Sequence, residues 1–138
     1  MGLSIQMTKA FFESKGLRYR ETDDGKALFV GFGGLKNKGD LEILLIFDDD
    51  DRAVAIRAVD VATAPENKHA ELFRLCSNLN FKYRWVKFYV NKKRGAIAAE
   101  DDAVINPDSA GEEIFELILR MAGIVDQAYP EIMKALWT

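Results

Sequence analysis

The residues best suited to chemistry lie between positions 82 and 95, where two large aromatic side chains alternate with lysine. Successive side chains of an extended strand point to opposite faces, so Trp85, Lys87 and Tyr89 are predicted to share one face. This stretch holds six basic residues and no acidic one. Aromatic rings stack on flat partner groups, and cations attract phosphates and carboxylates. The pattern therefore predicts a partner-binding hairpin made of Trp85, Lys87, Tyr89, Lys92, Lys93 and Arg94.

Three interpretations of this hairpin remain open. Protein interfaces favour tryptophan, tyrosine and arginine, which fits a protein partner. The same stacking surface suits single-stranded nucleic acid, which is the alternative function for hairpin 82–95. A third possibility is that Trp85 and Tyr89 pack beneath a helix while the lysine between them extends its charged end to water. The formal net charge of −3 and the pI near 5.2 disfavour a dedicated nucleic-acid binder, so a protein partner is the leading hypothesis.

Four other patterns lack the context that their chemistry would need. The glycine-rich stretch 31–36 is followed by a turn and a strand, whereas a phosphate loop opens a helix. Asp48 to Asp51 lack the spacing and the distal glutamate of a calcium loop and are predicted to form a solvated turn. His69 and Cys76 are each the one residue of their type, so a metal site or a catalytic triad would have no partners.

Carboxyl groups that serve as acid or base catalysts usually lie in apolar surroundings that raise their pKa. No aspartate or glutamate is expected in such a setting, so no carboxyl group with a raised pKa is predicted. The sequence thus predicts a non-enzymatic protein that needs no cofactor and no metal ion. A small enzyme that uses an unrecognised carboxylate is a third, weaker alternative, and a deep pocket lined by acidic residues would favour it.

Three helices and two groups of strands must position these residues. Ser4 is predicted to cap a first helix that ends near Gly16 and buries Met7, Phe11 and Leu3, with Phe12 beside them. A second helix begins at Pro65, and a third begins at a capping box formed by Ser109 and Glu112. The second helix buries Leu72, Leu75, Cys76 and Leu79. Pro130 should kink or end the third helix. The predicted strands cover residues 18–21, 27–34, 41–47, 53–61, 84–91 and 96–105.

These elements predict one α+β domain over residues 1–138. Short turns between neighbouring strands favour a mostly antiparallel sheet of five or six strands, with helices packed on it. The strand over 41–47 is apolar at nearly every position and is expected at the centre of the sheet. The 138 residues are 49% apolar, which suffices for a core without disulfides or metals.

The cellular setting is predicted from features that the sequence lacks. A single cysteine cannot form an internal disulfide, and the N-terminal segment has no pattern of a secretory signal. No apolar run reaches the roughly 18 residues that a membrane helix needs. A cytoplasmic protein without a membrane partner is therefore expected.

Several segments resemble a known family. The chain is similar to the YbjN-type proteins, which are described as bacterial sensory transduction regulators. The likeness rests on Leu79 with the flanking asparagines, on the strand Val86–Tyr89 and on the helix ending in Tyr129–Pro130. The strand over 41–47, which runs into an acidic turn, matches as well. The likeness extends from about Phe11 to Trp137. The chain departs from it at Cys76–Ser77 and in the basic turn over 92–94.

The resemblance implies the type III secretion chaperone-like fold, with element order α-β(3–4)-α-β-β-α. It also implies a non-enzymatic protein that holds or regulates other proteins, often as a homodimer. Secretion chaperones of this fold commonly pair through the middle helix and adjoining strands, and they bind extended client segments. Fold alone does not determine function, so the client role is not carried over. The expectation from the resemblance is a chaperone-like or regulatory protein, and a homodimer.

Overall fold

A computed structural model describes residues 2–138 of the chain. The three α-helices of this range are α1 (Leu3–Ser14), α2 (His69–Lys82) and α3 (Ala110–Trp137). The strands are β1 (Tyr19–Glu21), β2 (Ala27–Leu35), β3 (Gly39–Phe47), β4 (Ala53–Thr63), β5 (Lys87–Asn91) and β6 (Ala96–Val104). Short 3₁₀ helices over Glu66–Lys68 and Pro107–Ser109 lead into α2 and α3. The predicted α+β class and element order are confirmed.

The six strands form one sheet in the order β1-β2-β3-β4-β6-β5, with every neighbouring pair antiparallel. The central position of β3 is confirmed, but only one face of this strand is covered. Leu41, Ile43 and Leu45 are buried in the core that the helices share with the sheet. Ile46 on the opposite face is 40% exposed, because side chains alternate along the strand and no helix covers that face. We call this uncovered side the open face.

The start of α1 differs from the prediction. The cap residue is Gly2, and Ser4 lies inside the helix. The carboxylate of Asp51, in the turn between β3 and β4, accepts hydrogen bonds from the backbone N–H groups of Leu3 and Ser4, at 3.1 and 3.0 Å. The hydroxyl of Ser4 donates to the backbone oxygen of Asp51. A distant aspartate thus satisfies the free N–H groups that Ser4 was expected to satisfy.

The buried side of α1 also differs from the predicted one. Phe12 is buried as expected, and Ile5 is buried too, whereas Met7 is 38% exposed, Phe11 is half-buried and Leu3 is exposed. Phe11 packs edge-on against Phe115 of α3, with ring centroids 5.6 Å apart. The predicted end of the helix is confirmed, since Gly16 has a φ of 68°.

At the start of α3 the predicted capping box is absent. The side chain of Ser109 makes no capping hydrogen bond. Asn106 caps the preceding 3₁₀ helix by accepting from the N–H of Asp108, and the carboxylate of Glu113 accepts from the N–H of Asn106. The capping residue is therefore Asn106, three residues before Ser109, and the glutamate is Glu113, one residue after Glu112. Pro130 does not end α3, which continues to Trp137.

The close packing of α1 on α3 depends on the absence of a side chain at Gly111. A Cβ atom there would lie 2.4 Å from the Cβ of Phe11 and 2.9 Å from the backbone oxygen of Met7. We expect Gly111→Ala to lower the free energy of unfolding by about 1–3 kcal/mol, because two helices must separate. Chemical denaturation followed by circular dichroism measures this change.

Gly123→Ala in the same helix is the matched control, since a Cβ atom there meets nothing within 4 Å. It should stabilise the protein by up to about 1 kcal/mol through helix propensity. A stabilising effect of Gly111→Ala would contradict the predicted clash.

Candidate binding site around the β5–β6 hairpin

The edge strand β5 is closed by a side chain of α2. The side-chain N–H of Asn80 donates to the backbone oxygen of Phe88 at 3.0 Å, and the N–H of Phe88 donates to Oδ1 of Asn80 at 2.6 Å. One asparagine therefore replaces the two hydrogen bonds that a further strand would make. Exposed strand edges can pair with other chains, and this contact removes that possibility at Phe88.

Lys87 takes part in the same junction. Its Nζ donates to the backbone oxygens of Asn80 and Tyr83, both at 3.0 Å. These carbonyls lie at the C-terminal end of α2, where a cation is favoured by the helix dipole and by free acceptors. The ammonium group of Lys87 thus caps a helix, although its side chain remains exposed.

Trp85 does not share the strand alternation that the sequence predicts. β5 begins at Lys87, and Trp85 precedes it with a φ of 74°, a region that bulky residues rarely occupy. The indole is 47% exposed and has two cationic neighbours, Arg84 at 5.1 Å and Arg120 of α3 at 4.8 Å from the ring. Trp85 therefore lies beside α3 rather than in one row with Tyr89.

Tyr89 lies on the open face of the sheet and is half-buried. The same face holds Arg57 of β4, whose guanidinium is paired with Glu100 and Asp102 of β6. The hydrogen bond to Asp102 raises the pKa of Arg57 above its ordinary value, and the charge of Glu100 adds a smaller effect in the same direction. The charge around Tyr89 is therefore compensated, and this part of the open face is not strongly basic.

Two cations of the basic turn between β5 and β6 contact neighbouring elements of the fold. Nζ of Lys92 lies 5.3 Å from the ring centroid of Phe73 in α2. Arg94 donates to both carboxylate oxygens of Asp60, at 2.9 and 2.7 Å, and this pairing holds the pKa of Asp60 below its usual value. Lys93 is exposed between them.

Two cavities adjoin this turn, and Thr63 and Gly95 are in the walls of both. The first has a volume of about 670 Å³, and the second about 500 Å³. Polar residues including Glu66, His69 and Lys92 line the first cavity. The second is lined by apolar residues of α3, β4 and β6, together with Lys38, Asp60 and Arg94. We call the two cavities together the turn groove.

Large aromatic side chains border the turn groove. Trp137 is 82% exposed and lines the second cavity, and Phe73, 44% exposed, borders the first. Tyr129 contributes a further ring, with Nζ of Lys38 at 5.1 Å from its centroid. Sequence reasoning placed none of these rings in a site. For Trp137, the available signal was the cluster of apolar residues after Pro130.

The six residues predicted to form one surface occupy four places. Trp85 lies beside α3, Lys87 caps α2, Tyr89 lies on the open face, and Lys92 and Arg94 flank the turn groove with Lys93 exposed between them. The fold brings together the last three at the turn, and it keeps Lys87 and Tyr89 on one face of β5, as the alternation predicted. Whether any of the six binds a partner stays a prediction.

The comparisons with known proteins agree with this fold. Residues 4–133 match the family described as "Putative bacterial sensory transduction regulator". The chain belongs to the YbjN family. The crystal structure of "YbjN, a putative transcription regulator from E. coli" is similar to it with a TM-score of 0.62. That protein is 12% identical, and the likeness covers 92% of each chain, which shows the fold. No curated protein matches the sequence.

Membership of the YbjN family confirms the resemblance drawn from the sequence, and the structure shows what the shared residues do. Asn80 follows the buried Leu79, and together with Lys87 it attaches α2 to β5. Two of the segments on which the resemblance rested, around Leu79 and over Val86–Tyr89, therefore build the junction between the middle helix and the hairpin. The family's description is that of a regulator, not of an enzyme.

One carboxyl group contradicts the expectation from the sequence. Asp101 of β6 is 9% exposed, and its Oδ2 atom has no hydrogen-bond partner. Burial, with a smaller contribution from Asp102, raises the pKa of Asp101 to about 6, while Arg120 opposes the shift. The signal was present in the sequence, because the alternation Ile97, Ala99, Asp101 places this residue on the apolar face of the strand.

Neither a cluster of metal ligands nor a membrane-spanning helix is found within residues 2–138. No group of three histidine, cysteine, aspartate or glutamate side chains in this range is placed to hold a metal ion. None of its helices is long and apolar enough to cross a bilayer. Cys76 is buried in the core, and burial raises the pKa of its thiol to about 11.

Proposed function

We propose that this chain is a non-catalytic regulatory domain that binds a partner protein in the turn groove. The same proposal includes a cytoplasmic location and the homodimer that the resemblance implies. The family's description as a regulator supports the general role. The observation that carries the choice of site is the exposure of Trp137 beside a cavity of about 500 Å³.

Exposed aromatic side chains favour this groove as a protein interface. A tryptophan that is mostly exposed in the free protein can lose much apolar surface to a partner, and such residues often dominate binding. Met133 and Leu136 line the same cavity and extend its apolar surface along α3. These features favour a partner segment that inserts apolar side chains.

The charges around the groove indicate the composition of that segment. The cations that line the groove are Lys38, Lys92 and Arg94. Asp60 and Glu66 are the acidic residues that line it, and Asp60 is already paired with Arg94. The margin therefore has an excess of positive charge, which favours a partner segment that combines apolar and acidic residues.

Single-stranded nucleic acid is the second candidate. The E. coli protein with the similar fold is described as a transcription regulator, which favours testing nucleic acid as a ligand. Against this candidate, Lys87 caps a helix and Arg94 pairs with Asp60, so two of the predicted phosphate-binding cations are engaged within the protein.

The proposed site is tested by replacing Trp137 in a tagged protein that captures partners from its native cells. We expect Trp137→Ala to weaken binding of the captured protein at least tenfold, which corresponds to about 1.4 kcal/mol at a central interface residue. Titration calorimetry with the purified partner measures this loss. Phe81→Ala is the matched control, because Phe81 is 95% exposed but lies at the opposite end of α2 from the groove.

Equal losses from Trp137→Ala and Phe81→Ala, or no loss from Trp137→Ala, would contradict the proposed site. A photo-crosslinking residue at position 137 provides an independent test, because it should label one protein and should not label nucleic acid. Binding of a single-stranded oligonucleotide with a steep salt dependence would favour the second candidate. Light scattering tests the homodimer separately, since a monomeric mass rejects it without affecting the groove.

A further inference from the structure

The buried carboxyl group of Asp101 lies on the face of β6 that the helices cover. Its Oδ2 atom has no hydrogen-bond partner, and the cross-strand neighbour on β4 is the apolar Ile56. An ionised carboxylate in this position loses its hydration without gaining hydrogen bonds, which is unfavourable. The observed arrangement therefore suits the neutral form of Asp101.

Arg120 of α3 is the cation whose charge acts on Asp101, but its guanidinium is engaged elsewhere. It donates to a carboxylate oxygen of Glu116 at 2.6 Å and lies 4.8 Å from the ring centroid of Trp85. Glu116 is largely exposed, so its pairing with Arg120 is screened by water and contributes little stability. Arg120 is thus paired with an exposed carboxyl group, while its charge also acts on a buried one.

Trp85 connects this competition to the protein surface. Its φ of 74° is unfavourable for a bulky residue, so the position of its ring depends on the contacts around it. The two cations on the ring, Arg84 and Arg120, are such contacts. Movement of Arg120 would remove one of them from a half-exposed indole.

We infer that Asp101, Arg120 and Trp85 form a proton-sensitive switch, in which ionisation of the buried carboxyl group draws Arg120 away from Glu116 and from the indole. The proton passes to solvent, and no covalent bond changes. The switch goes beyond the proposed function, because it concerns a different surface from the turn groove.

The charged groups that act on Asp101 set the pH at which the switch operates. Asp102 on the same strand disfavours ionisation, and Arg120 favours it. Together with burial, these effects place the pKa of Asp101 at about 6. His69, the one histidine of the sequence, lies at the other end of the 14-residue helix α2, roughly 20 Å from the segment that holds Trp85.

Tryptophan fluorescence tests the switch, because the chain has two tryptophans and Trp137→Phe leaves only Trp85. In this background we expect the emission to change in one transition with a midpoint near pH 6. Asp101→Asn should abolish the transition, and Arg120→Gln should abolish it as well. Glu116→Gln should move the midpoint to lower pH, because Arg120 is then free to favour the ionised carboxylate.

Asp23→Asn, at an exposed turn, is the control and should leave the transition unchanged. Circular dichroism establishes that each variant is folded. The inference is overturned if the parent shows no transition, if Asp101→Asn retains it, or if Arg120→Gln retains it.

Discussion

Replacing Asp101 with asparagine is expected to stabilise the protein at pH 7. Burial raises the pKa of this carboxyl group to about 6, whereas an unfolded chain ionises near the ordinary value of 3.8. The difference of about two pKa units corresponds to roughly 3 kcal/mol of unfavourable free energy in the folded, ionised protein. Asparagine has no charge to bury, but its amide also lacks partners, so the expected gain is about 1–3 kcal/mol.

The pH dependence of this effect has a defined sign. Between about pH 4 and pH 6 the folded protein binds a proton at Asp101 that the unfolded chain has released, so stability falls as pH rises. The difference between the parent and Asp101→Asn should be small below pH 4, grow through this interval and stay constant above pH 6. Urea unfolding at several pH values measures it.

Asp23→Asn serves as the control for the loss of one negative charge, since Asp23 is exposed. A destabilised Asp101→Asn protein at pH 7 would contradict the raised pKa of Asp101, because the ionised carboxylate would then stabilise the folded protein. That result would also contradict a switch with a midpoint near pH 6.

Asn80→Ala is expected to lower the free energy of unfolding by about 2–4 kcal/mol, because two backbone groups of Phe88 lose their hydrogen bonds at a partly buried edge. The variant should also aggregate more readily, since the edge of β5 becomes free to pair with another chain. Thermal or urea unfolding, with light scattering at increasing concentration, measures both effects.

Asn78→Ala is a matched control two residues earlier in the same helix. Asn78 is exposed, so this variant has the same gain in helix propensity without the loss of contacts. If the two variants were equally stable, the contact between α2 and β5 would contribute nothing in solution.

Local patterns along the chain were enough to predict the kinds of elements and their order. Alternating apolar residues, turn residues and helical spacing indicated three helices and the antiparallel sheet. The resemblance to the YbjN family also rested on local patterns, such as Leu79–Asn80 and Val86–Tyr89. These predictions succeeded because burial of apolar side chains within one element follows from the period of that element.

Which side chains meet depends instead on how the elements pack. Asp51 caps α1 from 47 positions away, and Asn80 and Lys87 dock a helix on a strand edge. The predicted surface over 82–95 divides into separate places because Trp85 leaves the strand conformation at a positive φ. The turn groove likewise depends on the end of α3 reaching the β5–β6 turn.

Asp101 illustrates both what the sequence alone predicts and what depends on the packing of the elements. Its place in the alternation of β6 could be predicted from the sequence, since it follows from the two-residue period of a strand. The lack of a hydrogen-bond partner and the engagement of Arg120 by Glu116 depend on how α3 lies across the sheet. Hydrogen bonds and charges act over a few ångströms in space, so distances along the chain do not determine them.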